Sequence, residues 1–236
     1  MLMIKNNKAI IIFCRYPVEG KVKTRLAADY GNKFASAFYR LSAEHTFEQC
    51  RKLIPSGING CIYFSDKNVE SDVRKWIGEG FEYHPQKGNN LGEQMSDAFC
   101  TMFSKGINYA VIIGTDIPDI SDELIRRAYK LLDNNDFVIG PANDGGFYLL
   151  GMKNFYPGLF DDIKWSTSSV YGELVEKILR RNLKFANMEV LTDIDTKADL
   201  KEWLAKDKNE NSKNLSEKLN QLILSGNSGK HEAAEQ

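Results

Sequence analysis

Eleven residues constrain the fold of this chain more than any others: Tyr109 to Asp119, Tyr-Ala-Val-Ile-Ile-Gly-Thr-Asp-Ile-Pro-Asp. A short apolar run bounded by glycine and proline reads as a strand buried on both faces. Pro118 stops the backbone from continuing it. In an open α/β sheet, ligands bind outside the carboxyl ends of the strands. Asp116 would therefore arrive at the rim, where a hard carboxylate oxygen suits Mg²⁺ or Mn²⁺ bridging two phosphates. Asp and Pro are equally ordinary turn residues, so this carboxylate needs company before it means anything.

The rest of the chain alternates strand and helix signals. A strand over 9–14 leads through a Pro/Gly loop into a helical stretch over about 31–53, with Phe34, Ala37, Phe38, Leu41 and His45 at helical spacing. Strand 60–65 follows, then a helix holding Val73, Trp76 and Ile77, and a short strand over 81–84. Residues 91–104 form an amphipath with Leu91, Met95, Ala98, Phe99 and Met102 on one face. After the Asp116 strand, Ser121 can cap a helix whose first turn holds Asp122 and Glu123. Strands over 136–140 and 147–152, a helix near 168–181, a strand near 188–191 and a helix from 196 complete the series. The alternation predicts a single α/β domain over 1–205, with a mostly parallel sheet covered on both faces. Residues 206–236 turn polar; Leu215, Leu219, Leu222 and Ile223 suggest one short helix, with a flexible tail over 225–236.

Formal net charge is −1 across 236 residues, so no global field recruits nucleic acid or an anionic membrane. The apolar run after Lys5 and Lys8 is too short for a secretory core and ends in Arg15. No run is long enough to span a membrane. Cys14, Cys50, Cys61 and Cys100 are scattered without a CxxC pair, as expected of small buried residues in a reducing, cytoplasmic setting. Oligomeric state is not legible.

Four segments carry the chemistry. In the first, Arg15, Lys21, Lys23 and Arg25 crowd into eleven residues around Gly20, directly after the first strand. A helix opening near Lys23 or Thr24 would turn free N–H groups to the same rim as Asp116, making a phosphate site; the plainer reading is a solvated basic loop. It is neither a Walker A loop nor a GxGxxG fingerprint. In the second, Gln86 to Gln94 places glycines and amides between a strand end and a helix start, where the backbone around Gly92 could approach a base or ribose. In the third, Asp144 precedes Gly145 and Gly146, giving an acceptor-side loop with Asp144 as general base or hydrogen-bond acceptor, or simply a hairpin turn. In the fourth, Asp193 and Asp195 lie one residue apart, and either could add a metal contact. Asp195 or Thr196, with Asp199, could instead cap the next helix, the safer reading. His45, His84 and His231 lie in unrelated contexts and are assigned to neither metal nor catalysis. Ser166 to Ser169 read as a helix entry, not a nucleophile set.

Together these stretches resemble a bacterial family classed by inference as glycosyltransferases and met near radical-SAM genes. The matching segments are Phe13 to Pro17 with Gly20 to Leu26, Gln86 to Met95, Gly114 to Pro118, Pro141 to Gly151 and Asp193 to Leu200, within about residues 8–204. More distantly, the Lys-Thr-Arg-Leu loop and the Asp-x-Pro resemble the guanylyltransferases of molybdopterin and deazaflavin (phospholactate) cofactor synthesis. The resemblance implies a GT-A-like, Rossmann-like three-layer sandwich, the nucleotide-diphospho-sugar transferase fold. It makes Asp116 the counterpart of the metal-binding aspartate and sets Arg15, Lys21, Lys23 and Arg25 near phosphates. The chain departs from the pattern in having no Asp-x-Asp at this strand, which reads Asp116-Ile117-Pro118-Asp119, and no glycine-rich opening.

The resulting expectation is metal-assisted transfer of a sugar from a nucleoside-diphosphate sugar to a small or lipid-like acceptor, with Mg²⁺ or Mn²⁺ on Asp116. Nucleotidyl transfer from an NTP, releasing pyrophosphate, is the first alternative. A nucleotide-binding module without turnover is the second.

Overall fold

A computed structural model describes residues 7–206, 208 and 210–232, without the side chains of 67 and 225–232. The apolar runs form β1 (Lys8–Cys14), β2 (Ile58–Phe64), β3 (Glu82–Pro85), β4 (Tyr109–Ile113), β5 (Phe137–Pro141), β6 (Phe147–Met152) and β7 (Phe185–Asn187). They make one sheet in the order β3-β2-β1-β4-β6-β5-β7. All neighbours run parallel except β6, which is antiparallel to both β4 and β5.

Alternate residues of each strand go to opposite faces, so both faces must be covered. On one side Ile10, Ile12, Val111 and Ile113 pack into a core shared with α2 (Asn32–Arg51), α3 (Glu70–Ile77) and α5 (Asp122–Leu132). On the other, Ala9, Ile11, Ala110 and Ile112 meet α4 (Leu91–Ser104) and α6 (Val170–Arg180). A third cluster joins α1 (Thr24–Tyr30), α2, α7 (Lys197–Ala205) and α8 (Glu210–Glu232) through Leu26, Phe38, Trp203 and Leu219.

The helix expected over about 31–53 is α2, and the one expected to open near Lys23 or Thr24 is α1; Gly31, whose φ of 89° suits glycine, separates them. The other expected elements are present, with three differences. The last strand is Phe185–Asn187, not 188–191. Residues 188–191 still follow β5, but bond it only through Met188 N–H to Ile139 C=O at 2.8 Å and Leu191 N–H to Pro141 C=O at 3.2 Å. The C-terminal helix runs to Glu232, through the stretch read as a tail; its Gly and Ser residues are weak helix formers rather than breakers. Residues 233–236 lie outside the described set. Finally, Cys100 is exposed, whereas Cys14, Cys50 and Cys61 are buried as expected. Among the described residues, no helix is long and apolar enough to cross a membrane.

Candidate functional site

The parallel strands β1 and β4 end side by side, so the loops that leave them, Arg15 onward and Gly114-Thr115-Asp116, face each other across one rim. Tyr39 of α2 ties them together. Its buried phenol oxygen accepts the Arg15 N–H at 2.8 Å, which leaves its own proton for Thr115 Oγ1 at 2.9 Å. Burial raises the Tyr39 pKa and keeps that proton in place. Ser42, one turn further along α2, donates to the Thr115 carbonyl at 3.0 Å. The turn that presents Asp116 is thus fixed by its neighbour Thr115. Tyr39→Phe strips the Arg15 N–H of its partner and should destabilise the fold by about 1–3 kcal/mol. In a thermal melt that is a fall of about 2–4 °C per kcal/mol for a domain of this size.

Asp195 reaches the same place from far away in sequence. Buried Ile194 anchors its segment, and the Ile194 N–H reaches the Asp116 carbonyl at 3.4 Å. Thr196 caps α7 through a capping box: its hydroxyl accepts the Asp199 N–H at 3.2 Å, while the Asp199 carboxylate accepts the N–H groups of Thr196 at 2.7 Å and Asp195 at 3.1 Å. In the fourth segment Thr196 and Asp199 make the cap, the safer of the two readings, and the Asp195 carboxylate is left to face the rim.

Between the two carboxylates lies Lys23. Its ammonium is 2.7 Å from Asp116 Oδ1 and 2.8 Å from Asp195 Oδ1, and its side chain is only 4% exposed. Burial would push that ammonium toward deprotonation, but the Asp116 and Asp195 charges outweigh it and hold the pKa above the ordinary lysine value. Lys23 takes a left-handed backbone, φ 46° and ψ 47°, at the N-cap of α1. That conformation is costly for a residue with a Cβ and turns the side chain inward. Arg25 stands outside, 72% exposed and 3.8 Å from Asp195 Oδ2.

These groups line a cleft of about 690 Å³, within the range of small-molecule sites. Of the residues expected to bind nucleotide, Arg15, Lys23, Thr24, Arg25 and Gln86 line it, and so does Asp116, the residue expected to hold a metal ion. Gln86 is held by its side-chain amide donating to the Tyr63 carbonyl at 2.9 Å. Leu91, expected to be core, is 43% exposed at the cleft wall, because the buried face of α4 is set by Met95, Ala98, Phe99 and Met102.

Other expected residues fall outside the lining. Lys21 is exposed on the loop, and Gly20 uses its φ of 76° to turn beside Asn32. Gly92 is covered by Trp165: a Cβ there would come within 2.5 Å of the indole nitrogen. Gly145, at φ 89°, lets its loop press against the Ser168 carbonyl, where a Cβ would collide. Asp144 is exposed and closes its own turn by accepting the Gly146 N–H at 2.8 Å. Burial raises the Asp193 pKa from its ordinary value, with the Asp195 and Asp144 charges adding to it.

The donor chemistry of Asp116 and Asp195, two carboxylates on one rim, fits a hard divalent cation. Elsewhere among the described residues, Cys61, Glu82 and His84 also cluster. There the thiol is pushed up to about 12 by burial and Glu82 is already paired with Lys105 at 2.7 Å, so the cluster is poorly poised for a metal. Tyr39 carries no local signal of this role; its helical spacing marks it only as a core residue.

A family profile described as "Uncharacterized protein conserved in bacteria (DUF2064)" matches residues 56–167. The crystal structure of a putative nucleotide-diphospho-sugar transferase from Desulfovibrio desulfuricans G20 is 32% identical, with a TM-score of 0.84 over 94% of this chain and 98% of that one. The protein belongs to the DUF2064 family. Two more distant structures share the fold alone with this DUF2064 protein. One is 4-diphosphocytidyl-2C-methyl-D-erythritol synthase from Anaerococcus prevotii DSM 20548, 13% identical with a TM-score of 0.56 over 84% of this chain and 94% of that one. The other is a cytidylyltransferase from Leptospira borgpetersenii serovar Hardjo-bovis (strain JB197), 14% identical with a TM-score of 0.54 over 94% of this chain and 95% of that one. No curated protein matches the chain.

Proposed function

We propose that this DUF2064 protein is a transferase that moves a sugar from a nucleoside-diphosphate sugar to a small or lipid-like acceptor. The observation that carries this reading is the meeting of Asp116, Asp195, Lys23 and Arg25 at one cleft rim. The relative from Desulfovibrio desulfuricans, at 32% identity, supports it.

A Mg²⁺ or Mn²⁺ ion held by Asp116 and Asp195 would offset the charge that grows on a departing diphosphate. The chain's own cations do the complementary work. Arg15 and Arg25 reach the cleft from the exposed loop, where guanidinium groups hold phosphate oxygens in a forked, two-point grip. Leu91 and Gln86 line the same cleft with an apolar face and an amide for the nucleoside. On the acceptor side, Asp144 remains the proposed base. Asp193, whose pKa is raised by burial and by the Asp195 and Asp144 charges, is a second candidate for that role.

One feature favours nucleotidyl transfer as a second reading. The acid pair is split between the end of β4 and the segment before α7, while Asp119 accepts the Trp203 Nε1–H at 2.9 Å and is not free for a cation. Carboxylates converging on one point from two segments would hold a divalent ion that offsets the charge of a leaving pyrophosphate, as displacement at phosphorus requires.

The deciding experiment is product analysis with nucleotide sugars and with NTPs, each with and without Mn²⁺. Nucleoside diphosphate from a sugar donor supports the first reading; pyrophosphate from an NTP with a phosphorylated acceptor supports the second. Nucleotide should raise thermal stability by about 2.7 kcal/mol at a hundred times its Kd. Stabilisation with no product from any pair would mean binding without turnover, and no stabilisation by any nucleotide would overturn both readings.

A further inference from the structure

Lys23 stands where a cation would have to stand. Its ammonium contacts Asp116 Oδ1 and Asp195 Oδ1 at 2.7 and 2.8 Å. A divalent ion binding the same two oxygens at about 2.0–2.6 Å would take nearly the same point in space. The two occupants exclude each other. We propose that the Lys23 ammonium is a tethered cation that fills the Asp116–Asp195 seat until nucleotide arrives, then moves onto the phosphates, so that a divalent ion enters with nucleotide and not before it.

Three observations support this. First, Lys23 is 4% exposed, so a metal ion that displaced it without supplying a new partner would leave a buried, unpaired charge, which is strongly unfavourable. A phosphate bound in the cleft would supply that partner, since Lys23 lines the cleft together with Arg15 and Arg25. Second, Lys23 holds a left-handed backbone that glycine or asparagine would adopt more readily. Such strain concentrates at working positions, and here it is what aims the side chain inward. Third, Arg25 is 3.8 Å from Asp195 and 72% exposed, so among the described residues it is no buried stand-in for Lys23 in the seat. The consequence is a fixed order of loading, with the free protein kept from holding a metal ion in an open cleft. This rests on the proposed nucleotide site, but not on which transfer the site performs.

The test is Mn²⁺ binding to the full chain without nucleotide, read from the free-ion signal by electron paramagnetic resonance. If the ammonium leaves the seat one-tenth of the time or less, Lys23→Met and Lys23→Gln should bind Mn²⁺ about tenfold more tightly than wild type, or better. Adding Asp195→Asn to Lys23→Met should abolish the gain, placing it at this seat. Wild-type binding as tight as that of both variants would overturn the proposal. Should neither variant fold, the wild-type chain still gives an answer. With ¹⁵N-labelled lysine, the Lys23 ammonium resonance should stay unchanged in millimolar Mg²⁺ alone and shift when inorganic pyrophosphate is added with it. A shift with Mg²⁺ alone would overturn the proposal equally. Neither readout involves product, so a failure here is distinct from a failure to find a donor and acceptor.

Discussion

Asp116→Asn lowers turnover by about 100- to 1000-fold, the cost of removing one preorganised group that meets developing charge in a reaction centre. The substitution keeps the shape of the side chain and removes only its charge. Asp195 still pairs with Lys23 at 2.8 Å, and Asp116 is half exposed, so the fold has little reason to suffer. The melting temperature should therefore stay within a few degrees of wild type while product formation collapses. Asp119→Asn is the control. It lies three residues on, in the same turn, but is spent on Trp203, so turnover should survive its change. Equal losses from the two variants, or turnover near wild type in Asp116→Asn, would reduce Asp116 to an ordinary turn residue.

Trp203→Ala acts on stability instead, by about 3–5 kcal/mol. The indole is 2% exposed in the cluster that joins α1, α2, α7 and α8, and its removal leaves a cavity among them. Its loss also leaves Asp119 without the Nε1–H that it accepts at 2.9 Å. At about 2–4 °C per kcal/mol, the melt should fall by about 6–20 °C. Because α7 follows Asp195 directly, loosening it should blur the cation seat as well. Mn²⁺ affinity in the presence of nucleotide should fall alongside stability, even at temperatures where the variant remains folded. Trp203→Phe, which loses the donor and part of the ring volume, should lie between wild type and Trp203→Ala.

The strands and most helices were readable because burial leaves a strong local signature. β4 is five apolar residues closed by glycine and proline, and α4 carries Met95, Ala98, Phe99 and Met102 at helical spacing. Ser121 and Thr196 announced their helices by capping chemistry, and the structure shows both caps made. The limits were of two kinds. Where irregular pairing replaces a ladder, as at 188–191, an apolar run such as Val190-Leu191 misleads, because Val190 is 57% exposed. Where a group acts through a long-range contact, local sequence is silent. The bonds from Tyr39 to Arg15 and Thr115, and the placement of Lys23 between two aspartates, depend on segments brought together only by the fold. Asp116 was visible as the end of a strand; that its counter-charge would be a buried lysine was not.

The seat at the rim is built from a residue in the middle of the chain and one near the end of the domain, and this has a bearing on synthesis. A nascent polypeptide that has emerged through β6 already holds every strand of the sheet except the edge strand β7. It still lacks Asp195, and Lys23 has only Asp116 to answer it. A ribosome stalled there would display a largely assembled scaffold with half an acid pair, so the proposed nucleotide site should be completed late and abruptly, as the segment carrying Asp195 leaves the exit tunnel.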